Sequence, residues 1–178
     1  MSTKKTVFFD RDGTLIIDKV YLNDPDQIEY LPHVFDSLKL LRDAGFQFIV
    51  VTNQSGIARG IVSVENLHEI HRRITNEFLK HDITFAGFYH APYSVESQHP
   101  MRKPNPGMLL AATQDHTVNL SASWMIGDRA SDVFAGQRAG CRTVLLEGVE
   151  TSETIAQCQP TLVCDGLWSA TQVIIANP

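Results

Sequence analysis

Short apolar runs alternate along this chain with longer stretches whose apolar residues recur every three or four positions. Thr6-Val7-Phe8-Phe9 has the pattern of a buried strand and stops at Asp10-Arg11-Asp12-Gly13. From Val34 to Ala44, the residues Val34, Phe35, Leu38 and Leu41 share one helical face, and Gly45 stands where a glycine commonly ends a helix. Phe46–Val51 predicts a second strand, closed by Thr52-Asn53-Gln54-Ser55-Gly56. Ser63 is placed to cap a helix reaching about His81, with Leu67, Ile70, Ile74 and Phe78 at core spacing. Thr84–His90 predicts a third strand, followed by a polar stretch from Tyr93 to Lys103. Asn105-Pro106 has the form of an N-cap followed by proline in the first helical position.

Further on, Ser123–Ile126 predicts a fourth strand broken by Gly127-Asp128, then a helix from about Ser131 to Ala139 ending at Gly140. Thr143–Leu146 and Thr161–Val163 predict two more short strands, and Leu167–Ala176 a closing helix. Glu147–Glu153 has the composition of a solvated acidic loop, and Trp124 and Trp168 are expected in the core. Strands alternating with helices imply crossover connections and a sheet covered on both faces. The expected fold class is therefore α/β: a Rossmann-like three-layer α/β/α sandwich around a mainly parallel central sheet.

Composition fits one globular domain over residues 1–178, with 43% hydrophobic and 20% charged residues. A chain of this length buries roughly 70% of its unfolded surface without needing a disulfide or structural metal. Fifteen basic against 20 acidic side chains give a net charge of −5, which offers no general attraction for nucleic acid or anionic lipid. No apolar run approaches the ~18 residues of a membrane span, and the short apolar run behind the positive start Met1–Lys5 is no signal-peptide core. Cys141, Cys158 and Cys164 are odd in number and lack C-x-x-C spacing, as expected of buried thiols in a reducing compartment. A cytoplasmic monomer without membrane or nucleic-acid partners is expected.

The unusual polar residues fall at strand ends, where open α/β sheets bind ligands. Asp10 and Asp12 follow the first strand, Thr52 and Asn53 the second, and Asp128 and Arg129 the fourth, while Arg102 and Lys103 precede a helix. One crevice would then hold three carboxylates, a hydroxyl and three cations, a set suited to phosphoryl transfer. Clustered carboxylates repel unless a cation lies among them, and an all-oxygen set suits Mg²⁺.

Asp10-Arg-Asp12-Gly13-Thr14-Leu15 resembles the first motif of the haloacid dehalogenase superfamily of phosphatases. Thr52-Asn53-Gln54-Ser55-Gly56 resembles the second, Arg102-Lys103-Pro104 the third, and Ile126-Gly-Asp128-Arg129-Ala-Ser-Asp132 the fourth, all in family order. The resemblance implies Asp10 as nucleophile forming an aspartyl phosphate, and Asp12 as general acid and then base. It implies that Thr52 and the backbone N–H groups of the Asn53–Gly56 turn, with Gln54 and Ser55 in it, hold the phosphoryl oxygens, with Lys103 neutralising charge. It also implies Mg²⁺ on Asp10, the backbone carbonyl of Asp12, and Asp128. Asp132 reads as a supporting partner or helix cap.

Forty positions lie from Asp12 to Thr52 and 51 from Thr52 to Lys103, both taken up by the predicted sheet and helices, so no cap domain is expected. Substrate reading then falls to short loops, with Asp18, Tyr21, Arg102 and Arg129 as candidates. Thr52–Gly60, T-N-Q-S-G-I-A-R-G, and Arg102–Leu109, R-K-P-N-P-G-M-L, look most like the heptose bisphosphate phosphatases. That resemblance implies removal of the 7-phosphate of D-glycero-D-manno-heptose 1,7-bisphosphate, on the route to nucleotide-activated heptose for lipopolysaccharide core or a related glycan. Arg102 and Arg129 would then hold the distal phosphate. Histidinol-phosphate phosphatases share much of the pattern, and DNA 3′-phosphatases carry a related T-N-Q string. A receiver-type signalling domain is the non-enzyme alternative, although its phospho-acceptor usually sits on a middle strand.

Many members of the subgroup carry a Cys/His zinc site before R-K-P. The matching positions here are Ala91, Tyr93, His99 and Met101, which offer one ligand, so no structural zinc is expected. That loop must then be ordered by packing of Tyr89, Pro92 and Tyr93, or be mobile. His68 and His71, one helical turn apart, are expected on a solvated helix face.

Overall fold

The computed structural model describes residues 3–177; Met1, Ser2 and Pro178, and with them the start of the chain discussed above, lie outside the described residues. Six strands among the described residues form one sheet: β1 (Thr6–Phe9), β2 (Gln47–Asn53), β3 (Phe85–Ala91), β4 (Trp124–Gly127), β5 (Arg142–Leu146) and β6 (Leu162–Cys164). Their order is β3-β2-β1-β4-β5-β6, and every pairing is parallel, so the sheet expected to be mainly parallel is wholly so. The strand order reverses between β1 and β4, which is the crevice where doubly wound sheets bind ligands.

Among the described residues seven helices connect and cover the strands: α1 (Val34–Asp43), α2 (Ser55–Ala58), α3 (Val64–Leu79), α4 (Gly107–Asp115), α5 (Ala130–Ala139), α6 (Ser152–Cys158) and α7 (Leu167–Ala176). The period of two along β1 divides the core. Val7 and Phe9 pack with Leu38, Ile74, Phe78 and Ile174 of α1, α3 and α7 on one face. Phe8 packs with Met108, Leu109 and Ala135 of α4 and α5 on the other. Both faces are therefore apolar, and the polar residues are left for the strand ends. Between Asp12 and Lys103 the described residues form α1, β2, α2, α3, β3 and two 3₁₀ turns, with no cap domain among them. No helix among the described residues is long and apolar enough to cross a membrane.

The ends of the helices follow local chemistry in most places. Ser63 accepts the Asn66 N–H at the start of α3 (3.0 Å), and Gly45 takes φ +86° just past α1. Asn105 does not cap α4: Pro106 occupies the N-cap, while the Asn105 amide donates to the carbonyls of Gln98 and His99 in the preceding loop. The acidic segment is only partly a loop, because Thr151 caps α6 from Ser152 onward. Glu150 is not simply solvated either; its Oε1 accepts the Ala130 N–H at the start of α5 (2.7 Å). Trp124 is core, but Trp168 is 42% exposed, because α7 packs on α1 with the opposite side and leaves Trp168 beside His33. All three cysteines are buried and unpaired.

Candidate active site

The carboxyl ends of β1, β2 and β4 and the loop before α4 meet in a cleft of ≈ 220 Å³ lined by the candidates Asp10, Asp12, Asp18, Tyr21, Asn53, Gln54, Ser55, Arg102, Lys103, Asp128 and Arg129. Thr52 lies behind them, fully buried. Asp10 leaves the end of β1 with its N–H on Ile126 O (2.9 Å), which ties it to β4 beside Asp128. Its Oδ1 accepts the Arg11 N–H (2.7 Å) and lies 3.0 Å from Lys103 Nζ.

Lys103 is 2% exposed and is held from several directions. Its ammonium pairs with Asp132 Oδ1 (2.6 Å) and donates to Val51 O (2.7 Å). Its backbone is clamped to Asn53: Asn53 Nδ2 donates to Lys103 O, and Lys103 N–H donates to Asn53 Oδ1, each at 3.0 Å. Both ends of the Asn53 amide are thereby committed to setting the Lys103 loop against β2. Asp132, for its part, accepts the Arg129 N–H through Oδ2 (3.0 Å), so it caps α5 while pairing with Lys103.

Carboxylate oxygens of Asp10, Asp128 and Asp132 lie within 4.8 Å of one another. Asp128 is 3% exposed, and its Oδ1 is buried with no partner. Burial, and then the neighbouring Asp10 and Asp132 carboxylates, push Asp128 up to about 7. Burial raises Asp10 as well, opposed chiefly by Lys103. Three clustered carboxylates beside one ammonium lack positive charge, and an orphaned carboxylate oxygen points to where a cation fits. Both Asp132 oxygens are engaged, so Asp10 and Asp128 are the side chains with capacity left for it. Two glycines keep this cluster tight. A Cβ on Gly13, whose φ is +76°, would lie 2.2 Å from Asp128 Oδ2, and one on Gly127 would lie 2.1 Å from Asp132 Oδ2.

Asp12 is pinned separately. Gln54 Nε2 bridges Asp12 Oδ2 (3.0 Å) and Thr52 Oγ1 (2.9 Å), which leaves the Thr52 hydroxyl hydrogen free to donate. The Arg11 guanidinium holds Asp12 from behind. Burial raises Asp12 above the ordinary carboxylate range, against the pull of Arg11. Arg11 was missed from the sequence; the available signal was a cation set between two carboxylates just after a buried strand. His71 also departs from expectation: it is buried, not solvated, and it contacts Arg11.

At the cleft mouth, Asp18 accepts the Val20 N–H and faces Arg129 Nη2 (3.3 Å), whose Nε is 3.6 Å from Asp128 Oδ2. Tyr21 packs under Gly56, with Arg59 above its ring (5.9 Å). Arg102 donates to Tyr93 O (2.9 Å). The loop before Arg102 is ordered by packing: Tyr93 stacks on His99 (3.5 Å between centroids), and His99 Nδ1 accepts the Met101 N–H. Ala91, one of the four positions matching the relatives' zinc ligands, is the buried last residue of β3. The single imidazole there is already committed, so the donor set does not fit a closed zinc site.

Crowded carboxylates around one buried ammonium, at the switch point of a parallel sheet, suit phosphoryl transfer, and comparison with known proteins gives the class: phosphatases of the haloacid dehalogenase superfamily. A HAD-hydrolase-like family profile matches residues 100–170. The D-glycero-beta-D-manno-heptose-1,7-bisphosphate 7-phosphatase of Helicobacter pylori is 32% identical over 163 residues, covering 89% of this chain and 94% of that protein. The D-glycero-D-manno-heptose-1,7-bisphosphate 7-phosphatase of Chlorobaculum tepidum is 32% identical over 195 residues, covering 100% and 98%. Among solved structures, the D,D-heptose 1,7-bisphosphate phosphatase of B. bronchiseptica, complexed with magnesium and phosphate, superposes with a TM-score of 0.87 at 26% identity, covering 98% of this chain and 99% of that one. The chain belongs to the heptose bisphosphate phosphatase family of that superfamily, and it is a phosphatase.

Proposed function

We propose that this chain, as one capless domain, is a Mg²⁺-dependent phosphomonoesterase that removes the 7-phosphate of D-glycero-D-manno-heptose 1,7-bisphosphate. The observation that carries the reading is the convergence of Asp10, Asp128 and Lys103 on one cleft floor, in a chain similar over its whole length to phosphatases of that name. Asp10 attacks phosphorus, the P–O bond to the sugar breaks, and Asp12 gives its proton to the departing oxygen. Asp12, now a carboxylate, takes a proton from the water that attacks the aspartyl phosphate, and phosphate leaves with Asp10 restored. The Thr52 hydroxyl and the backbone N–H groups of Ser55 and Gly56 receive the phosphoryl oxygens, the Gln54 N–H being spent on Ala91 O, and Lys103 offsets charge on Asp10. Mg²⁺ would be held by Asp10, Asp128 and the Asp12 carbonyl, and when bound it offsets the repulsion between carboxylate and phosphate dianion.

Arg102 and Arg129 stand at the mouth as holders of the distal phosphate, with Asp18, Tyr21 and Ser55 lining the path of the sugar. The substrate is a small phosphorylated sugar rather than nucleic acid, consistent with a net charge of −5, and the enzyme works as a cytoplasmic monomer. Phosphate release from heptose 1,7-bisphosphate, histidinol phosphate and a 3′-phosphorylated oligonucleotide tests the assignment. The heptose substrate should give the highest kcat/KM; a preference for histidinol phosphate or the oligonucleotide overturns it.

A further inference from the structure

Arg11 is among the largest fully buried side chains in the protein, at 1% exposure, and a buried arginine is rare unless its whole fork is used. Here two of its three nitrogens are used on one residue. Nε lies 3.2 and 3.1 Å from the two Asp12 oxygens, and Nη2 lies 3.0 and 2.9 Å from the same pair. The remaining nitrogen, Nη1, meets His71 Nε2 at 3.3 Å. His71 sits on α3 with its ring against Phe88 (4.8 Å), so its position is set by the sheet-facing core and not by the cleft. Burial, with Arg11 beside it, pushes His71 down to about 3, so the ring is neutral and Nε2 accepts from the guanidinium.

We propose that Arg11, oriented by His71, is a positioning residue that aims the Asp12 carboxyl group at the oxygen of the leaving group. A guanidinium does not give up its proton, so Arg11 takes no part in proton transfer itself. An aspartate has two rotatable side-chain bonds, and a general acid misplaced by about 1 Å loses on the order of 100-fold. The fork and Gln54 together remove that freedom. A buried ion pair adds little net stability over an apolar pair, so the geometry it imposes is the physical gain.

The inference rests on the proposed role of Asp12, and the experiment separates the two. An alkyl phosphate needs its leaving oxygen protonated, whereas p-nitrophenolate departs without a proton. Because kcat/KM includes every step through P–O cleavage, it reports the acid step for each substrate. Asp12→Asn is the reference and should lower kcat/KM for a sugar phosphate far more than for p-nitrophenyl phosphate. If it lowers both equally, the acid role of Asp12 fails. Arg11→Lys keeps the charge without the fork; it should lower the sugar-phosphate value about 30-fold or more and the aryl value less than about 5-fold. His71→Leu keeps the guanidinium but removes its second anchor; it should show the same split at about 5-fold, and it carries the test if Arg11→Lys does not fold. With the split present in Asp12→Asn, an equal fall on both substrates, or no fall, in the Arg11 and His71 variants overturns the inference.

Discussion

Replacing Gly127 with alanine would strike the point where fold and chemistry are tied most closely. An ideal Cβ there lies 2.1 Å from Asp132 Oδ2, 2.3 Å from Cγ and 2.5 Å from Cβ. Rotating the carboxylate does not relieve contacts that reach back to Cβ, so α5 itself must retreat from β4. Asp132 is fully buried, held by Lys103 Nζ at 2.6 Å and by the Arg129 N–H at 3.0 Å. Overpacking of this kind costs about 1–3 kcal/mol, and the lost cap adds about 1 kcal/mol. The expected loss is about 3 kcal/mol, which for a chain of this size lowers Tm by roughly 6–12 °C. Lys103 also sits 3.0 Å from Asp10 Oδ1, so the displacement reaches the nucleophile, and kcat should fall on the order of 100-fold even where the variant is folded. Thermal denaturation followed by circular dichroism, with kcat on p-nitrophenyl phosphate well below the transition, measures both. A Tm within about 2 °C of wild type together with kcat within about 3-fold would refute the argument that Asp132 is locked.

Asp10→Asn should abolish phosphate release while leaving the thermal transition in place, since it removes one of three crowded carboxylates; full activity in that variant would sink the mechanism. Phe78 packs against the rings of Tyr30, Phe35 and Phe85, so Phe78→Ala should cost about 3–5 kcal/mol in urea unfolding, with kcat per folded molecule unchanged. The three thiols should stay unlabelled by iodoacetamide in the native protein and react once it is unfolded, because all are buried and burial pushes Cys141 up to about 12. His71 is depressed from 6.5 to about 3 in the folded state, so below 6.5 the unfolded chain binds a proton that the folded one refuses. The His71 contribution is therefore lost as pH falls from 6.5 toward 3, by up to about 1.4 kcal/mol per unit, while the raised Asp128 carboxyl acts in the opposite sense; relative to wild type, His71→Leu should gain stability on the acid side of the urea midpoint against pH.

Much of this protein was legible in its residue pattern. The strands over Thr6–Phe9 and Thr143–Leu146, the glycine after α1 and the Ser63 cap each depend on neighbours a few positions away, and such signals survive without tertiary context. The motif residues Asp10, Thr52, Lys103 and Asp128 were legible for the same reason, since each follows or precedes an apolar run that marks a strand end or a helix start. The tertiary structure alone decided which strand ends meet. The order β3-β2-β1-β4-β5-β6 puts Asp10 beside Asp128, and the Asn53 clamp brings Lys103 onto both Asp10 and Asp132.

The residues misread or missed were those whose environment comes from far along the chain. His71 and Arg11 are 60 positions apart, and only the packing of α3 on the sheet buries them together. Trp168 is apolar by type, but α7 has one packed side and Trp168 falls on the other. Glu150 could serve solvent, and the start of α5 brought near by folding claimed it instead; Asn105 is the exception, its amide turning back to Gln98 and His99 in its own loop. Periodicity records which face of an element is apolar; which partner that face or a polar side chain meets is set by long-range packing, and a single sequence holds that only as a consequence of folding.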